Sequence, residues 1–476
     1  MKKRMLRIAA LVMAATMTMS FAACGGGSSE TSSNGDAQDT ADAADDTADD
    51  SAADAADDSS ADAADDSAAD SSDDGDKVIT YWNIGTEGAD KEALEYAVTE
   101  FNANTQSGYT VENVPTQNDN YKEKLVIAMS SGECPDMYTS WSGGPMNEYI
   151  ESGFAQPLDD LYEEYGLKDK YMDAAIAQAT YDGKIYAVPT YNVSIAGVFY
   201  NKEMFEKYNL EVPTTVSELE AVCDALKAEG ITPFALANAP KWTGSMYFQC
   251  LATRKGGLEP FQNAVSGEGT FEDECFQYAG EKIQEWVEKG YFPEGVNSLS
   301  EDDGQAKQLM YQETAGMLLC GSWYTGTFSS DSPEFYEKIG WFSFPAVDGS
   351  DADASIQNGT IGDQFVSFNC TGDKLAAAFE CASYYSSDGA KQVMVDVGKI
   401  PPTKDAGELI TDGVTKQILD AATNASSVQL WYDQYLPPAV AQVHLDTCQE
   451  MFGLTMKPDE AGTKFEEAME EYLAGK

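Results

Sequence analysis

The chain has 476 residues, with 81 Asp and Glu against 29 Lys and Arg, for a formal net charge of −52. So large an acidic excess excludes a nucleic-acid-binding surface, which needs a basic face, and peripheral docking on anionic lipid, which needs the same. The length exceeds what one simple core supports and implies more than one lobe.

The first residues read as a targeting segment. Lys2, Lys3, Arg4 and Arg7 form a positive start, and residues 8–23 follow without a charge. That run is shorter than the ~20 apolar residues of a membrane span and ends in small residues, as a cleaved signal peptide does. Residues 1–23 are therefore expected to be a signal peptide. Phe21-Ala22-Ala23-Cys24-Gly25 resembles the lipobox of bacterial lipoproteins, with Phe21 where leucine is commoner. The resemblance implies that Cys24 becomes the mature amino terminus and carries lipid, palmitate included, which would hold the protein on the outer face of the cytoplasmic membrane. Residues 24–76 repeat the unit Ala-Asp-Ala-Ala-Asp-Asp-Ser/Thr from Ala41, Ala53 and Ala61 and contain no basic or aromatic residue. Such a stretch has too little apolar surface to offset its ordering entropy. It is expected to be a disordered acidic tether, extended by its own repulsion.

A module of alternating strand and helix patterns follows over residues 77–476. Residues 78–82 read as a strand and residues 91–101 as an amphipathic helix. Residues 109–114 are a second strand, 121–129 a second helix and 136–139 a third strand. This β-α-β-α-β order with short links implies a parallel sheet covered by helices. Strands are expected at residues 184–188 and 197–200, and a helix at residues 216–228 behind the turn and cap signal Pro213-Thr214-Thr215. Residues 271–289 read as a helix, and residues 315–319, 339–344 and 365–368 as strands. Residues 375–386 read as a helix, and residues 440–473 as helix with a break near Pro458. The fold class is α/β, with helices dominating the second part.

Eight cysteines besides Cys24 contain no C-x-x-C pair, so zinc-ribbon and thioredoxin-like sites have no support. Both disulfides and buried thiols stay open. His444 is the only histidine and sits in an apolar helical pattern, which suits a structural role. Asp348-Gly349-Ser350-Asp351-Ala352-Asp353 alternates oxygen-bearing side chains, yet lacks the spacing of an EF-hand loop. It reads as an acidic surface turn. No metal or other cofactor is implied.

Four stretches of the module carry a family likeness. Ile79-Thr80-Tyr81-Trp82-Asn83, Asp182-Gly183-Lys184-Ile185-Tyr186-Ala187-Val188-Pro189, Tyr200-Asn201-Lys202-Glu203-Met204-Phe205 and Ala315-Gly316-Met317 leading to Gly321-Ser322-Trp323 stand in this order. Together they resemble the extracellular solute-binding proteins of ABC importers, in the sugar-binding group. The resemblance implies a two-lobed periplasmic-binding-protein-like fold with a hinge and an interlobe cleft that closes on its ligand. It also implies an ABC permease as partner. The expected lobe boundaries are residues 77–190 with a returning segment near 346–400, and residues 191–345 with part of the C-terminal helices. A monomer is expected.

A pyranose offers apolar faces to aromatic rings and a rim of hydroxyls to polar side chains. Of the seven tryptophans, Trp286 and Trp341 fall on apolar helix and strand patterns and read as core. Trp82, Trp141 and Trp323 stand at strand ends, where α/β sheets bind ligands. Trp242 stands at a helix start and Trp431 in the polar-aromatic run Leu430-Trp431-Tyr432-Asp433-Gln434-Tyr435. These five are the candidate stacking residues. Asn83, Glu87, Asp363 and Asp433 are the candidate polar contacts. The expected function is capture of a carbohydrate, an oligosaccharide, without catalysis. Two rival functions are a binding protein for a non-sugar solute, peptide or polyamine, and a glycoside hydrolase. The hydrolase would need two carboxylates across a cleft, but no G-x-S-x-G, H-E-x-x-H or Walker motif supports an enzyme.

Overall fold

The computed structural model describes residues 77–411 and 413–475. The signal peptide, Cys24 and the tether expected over residues 1–76 lie outside the described residues. The strands in chain order are β1 (Val78–Asn83), β2 (Thr110–Pro115), β3 (Met137–Ser140), β4 (Thr180–Tyr181), β5 (Lys184–Ile185), β6 (Ala187–Pro189) and β7 (Val193–Asn201). They continue with β8 (Thr232–Phe234), β9 (Ala315–Gly321), β10 (Ile339–Ser343), β11 (Gln357–Ile361), β12 (Phe365–Phe368) and β13 (Val428–Gln429).

Two sheets organise two lobes. The first has the order β2-β1-β3-β12-β6, with β1 parallel to β2 and β3 and with β12 antiparallel to its neighbours. The expected β-α-β-α-β start is therefore present as a parallel unit. Its covering helix Gly88–Asn104 buries Ala93, Leu94, Ala97, Val98 and Phe101, one helical face, against Ile79 and Tyr81 of β1. The second sheet runs β13-β11-β7-β9-β8, and β10 also pairs with β7. Nine-residue β7 serves two neighbours along one edge: Val193 to Ile195 pair with β11, and Gly197 to Asn201 pair with β10. Helix Val216–Ala228 matches its expected bounds. Thr215 and Glu218 close a capping box at its start, and Leu219, Val222, Cys223 and Leu226 are buried.

Three differences from the sequence reading have physical causes. The single strand expected over residues 184–188 is divided between two pairings. Asp182 and Gly183 both take positive φ (45° and 76°), the geometry of a two-residue hairpin turn, so β5 folds back on β4 while β6 joins the first sheet. Second, helix Trp242–Gly256 is buried at every position from Thr243 to Arg254, so only its start carried a signal, because a helix enclosed all round shows no polar stripe. Third, β11 has the sequence QNGTI and is wholly buried, but in the second sheet. That enclosed helix meets the amide of Asn358: Asn358 Oδ1 accepts from Gln249 Nε2 (3.2 Å) and Thr253 Oγ1 (3.0 Å). The return to the first sheet therefore starts at Phe365, not near residue 346, and residues from Ile400 onward rejoin the second core.

The remaining singled-out residues have plain structural places. Trp286 and Trp341 are buried, 0 % and 8 % exposed. All eight cysteines among the described residues are free thiols. His444 is buried with Nε2 2.7 Å from Ser245 Oγ, and burial pushes its pKa down to about 3. Asp348 accepts from the backbone and hydroxyl of Ser217, and Asp353 from the Ser355 N–H, as surface-turn carboxylates do.

Candidate ligand-binding cleft

The chain crosses between lobes three times, at residues 190–193, 361–365 and 397–400. Asn192 ties the crossings together. Its carbonyl accepts from Asp363 N–H (2.7 Å), its Oδ1 accepts from Ile400 N–H (2.7 Å), and its Nδ2 reaches Ser322 Oγ (3.5 Å). Thr190 N–H and Val193 N–H complete the junction on Gln364 O and Ile400 O (3.0 and 2.7 Å). Beside it, the ammonium of Lys399 is fully buried. It donates to Asp90 Oδ1 of the first lobe (2.7 Å) and to the carbonyl of Trp323 in the second (3.2 Å), and lies 4.6 Å from the Tyr191 ring centre.

Between the lobes lies a cleft of about 1270 Å³, the open solvent at its mouth included. Trp242, Trp323 and Trp431 line the second-lobe wall edge to face. Trp323 is 5.9 Å from Trp242 and 6.1 Å from Trp431, with interplanar angles of 62° and 69°. Trp323 can lie so close to its own strand because residue 321 is glycine: a Cβ there would stand 1.9 Å from the indole ring. Trp141 faces them from the first lobe, its ring edge-on to Tyr121 and beneath the Lys122 ammonium at 4.9 Å. Glu87, Asp363 and Asp433 also line the cleft.

The structure thus brings seven of the nine sequence-derived candidates to one cavity. Trp82 and Asn83 are not among its lining residues, and the cause is strand alternation together with a turn. Trp82 points to the face of β1 covered by helix Asn118–Ser131, packing against the cluster of Tyr121, Leu125 and Met129, with the Lys124 ammonium 3.8 Å from its ring. Asn83 points the other way but is consumed locally, accepting from Gly85 N–H (2.9 Å) and donating to Asn113. Sequence reasoning missed Asn192 and Lys399. It also missed Glu301, Asp302, Gln364 and Gln434, which line the cleft. A lone lysine inside the apolar run Val397-Gly398-Lys399-Ile400 was the available signal for the buried ion pair. Glu301 and Asp302 were hidden in an ordinary acidic run.

The lobes touch across the cleft. Asp302 of the second lobe accepts from the backbone N–H of Asp119 (3.0 Å), at the start of first-lobe helix Asn118–Ser131. Trp242 Nε1 lies 3.4 Å from Asp119 Oδ1. At the opposite rim, Gly143 and Gly144 let the first-lobe backbone approach Gln434 O and Leu436 O, where a Cβ would come within 2.2 and 2.0 Å. This is a closed arrangement.

Burial makes four carboxylates in the lining costly to ionise, Glu301, Asp302, Asp363 and Asp433, and two of them carry the largest shifts. Burial pushes Asp363 up to about 7, against the lowering effect of Lys399. Burial likewise pushes Glu301 up to about 7, against the Tyr324 hydroxyl and Lys307. Each binds its proton more tightly folded than unfolded, where ~4 is normal, so stability falls as pH rises through 7. His444 acts in the opposite sense, since only the unfolded chain protonates it, and that effect fades as pH rises through about 6.5. Between pH 6.5 and 8 the carboxylates outweigh it, and unfolding free energy is expected to fall by about 1 kcal/mol. Urea denaturation at both pH values checks this; Asp363→Asn should remove roughly half of the slope, and an unchanged slope would contradict the assignment.

Three comparisons with known proteins agree with this architecture. A probable sugar-binding periplasmic protein of Rhizobium meliloti (strain 1021) is 24 % identical over 409 residues, covering 83 % of this chain and 93 % of its own. A solved protein from work on xylan utilization by the thermophilic bacterium Caldanaerobius polysaccharolyticus superposes with a TM-score of 0.75 at 28 % identity, covering 82 % of this chain and 99 % of its own. A chitin oligosaccharide binding protein has the same fold, with a TM-score of 0.76 at 24 % identity and coverages of 84 % and 99 %. Residues 85–392 match the family of bacterial extracellular solute-binding proteins. With that match spanning most of a two-lobed module hinged over an aromatic cleft, the chain belongs to the bacterial extracellular solute-binding proteins.

Proposed function

We propose that this protein captures an oligosaccharide in the interlobe cleft and delivers it to an ABC permease, as a monomer and without turnover. The observation that carries the proposal is the Trp242–Trp323–Trp431 array. Three indoles at 5.9–6.1 Å spacing along one wall offer apolar faces to more than one sugar ring, while Glu87, Asp363 and Asp433 stand where hydroxyls would need acceptors. A ligand bridging both walls would favour the closed state, the differential affinity that closure on a ligand requires. The resemblance to a sugar-binding relative and to a protein studied for xylan utilization supports the same class.

Calorimetric titration with xylo-, malto- and N-acetylchito-oligosaccharides of one to four units tests this. At least one trisaccharide should bind more than tenfold tighter than its monosaccharide and raise the melting temperature. Heat and thermal shift from peptides or polyamines, with none from any saccharide, would sink the proposal, as would release of new reducing ends during incubation.

Lipid attachment at Cys24 belongs to the same proposal and rests on the lipobox resemblance. Cells expressing the full chain should incorporate labelled palmitate into it. Cys24→Ser should abolish the label and shift the protein from the membrane fraction to the medium; label retained on the variant would refute the site.

A further inference from the structure

The charges and hydrogen-bonding groups of the cleft walls point to a narrower ligand class. Seven carboxylates line the cleft against two ammonium groups, Lys122 and Lys307, and no guanidinium. Both ammonium groups already have partners in the protein. Lys307 pairs with Asp331 at 2.7 Å, and Lys122 lies over the Trp141 ring. The next cation inward, Lys399, is buried and bonded to Asp90. The uncharged polar groups lean the same way. The amide oxygens of Gln364 and Gln434, two further lining residues, are buried without a hydrogen-bond partner. Gln364 is 2 % exposed. Unpaired acceptors and carboxylates call for donors. Hydroxyl and ammonium groups are donors; an ionised carboxylate, sulfate or phosphate accepts only.

Electrostatics adds to the mismatch. A second anion brought beside buried carboxylates raises the cost of keeping either charged. Burial already holds Asp363 and Glu301 well above the usual carboxylate range.

We propose that the cleft selects its oligosaccharide by charge, accepting chains that are uncharged or carry ammonium groups and rejecting chains that carry uronate, sulfate or phosphate. This rests on the carbohydrate reading above, and the test separates the two. Asp363 and Asp433, each next in sequence to one of the two unpaired glutamines and lining the same cleft, are the specificity-determining residues.

The experiment is calorimetry on the full soluble chain at pH 7.5 and low salt, where screening is weakest. The probes are maltotriose, cellotriose and N-acetylchitotriose. For whichever of these binds, the counterpart with one C6 hydroxymethyl oxidised to carboxylate is compared with the methyl ester of that same acid. The acid should bind at least 30-fold more weakly than the parent, and the ester, larger but uncharged, within fivefold of it. Salt at 0.5 M should narrow the gap between acid and ester, as should Asp363→Asn and Asp433→Asn. An acid that binds within threefold of its parent overturns the inference. So does an ester as weak as the acid, which would make the discrimination one of shape. A gap unchanged in both variants overturns the assignment to these carboxylates. Absence of binding by every saccharide, neutral ones included, counts instead against the carbohydrate reading.

Discussion

Trp323→Ala is expected to weaken oligosaccharide binding by roughly 30- to 150-fold, a loss of about 2–3 kcal/mol. Trp323 is the middle ring of the array, in edge contact with both Trp242 and Trp431. Its removal takes away one stacking face and also the lateral support that holds the other two indoles in place. Aromatic pairs add about 0.5–1.5 kcal/mol beyond buried area, so the loss should exceed that of an isolated stacking residue. Titration calorimetry reads the change directly. Because Trp323 is only partly buried, the variant should fold and keep most of its denaturation midpoint. A fall in stability as large as the fall in affinity would mean that the residue is a packing element. Gly321→Ala should reproduce part of the binding loss without touching the indole itself, since its Cβ would displace the ring.

The second large effect is expected at Lys399. Lys399→Ala removes a fully buried ammonium and leaves Asp90 beside the hinge without its counter-charge, with the Tyr191 hydroxyl still donating to it. Breaking a buried pair from one side costs about 3–5 kcal/mol. Asp90 keeps a third of its side chain exposed, so the lower end, about 3 kcal/mol, is expected. Lys399→Met retains the apolar stem and should cost less. Combining it with Asp90→Asn, which removes the orphaned charge, should recover much of the loss. Urea denaturation of the single and double variants gives the coupling directly. If Lys399→Ala and the double variant are equally unstable, the ion pair contributes nothing beyond packing. The Lys399 ammonium also holds the Trp323 carbonyl, so Lys399→Ala should weaken ligand binding while leaving the aromatic wall chemically intact.

Much of this molecule follows from local chemistry that is visible along the chain. The β1-helix-β2-helix-β3 unit was legible because each helix has one apolar face and each strand a short apolar run. Helix Val216–Ala228 was legible to the residue because Thr215 and Glu218 form a capping box. Five loop or element-end tryptophans were singled out, and four of them line the cleft. The fifth, Trp82, lies outside that lining, because position at a strand end does not say which face of the strand a side chain takes. That depends on register against β2 and β3.

What no stretch of sequence contained was partnership over distance. The QNGTI strand looks like a loop until Gln249 and Thr253, more than a hundred positions away, supply bonds to Asn358. Asn192 is an unremarked amide until residues 361–365 and 397–400 arrive beside it. Lys399 and Asp90 are separated by 309 positions. The targeting pattern of the first residues and the four family-like stretches, both local properties, were enough to indicate an exported binding protein. Which carboxylates are buried, which cations are already spent, and therefore which ligand charge the cleft tolerates are settled only by the fold, because desolvation and pairing are properties of surroundings that the chain assembles from distant segments.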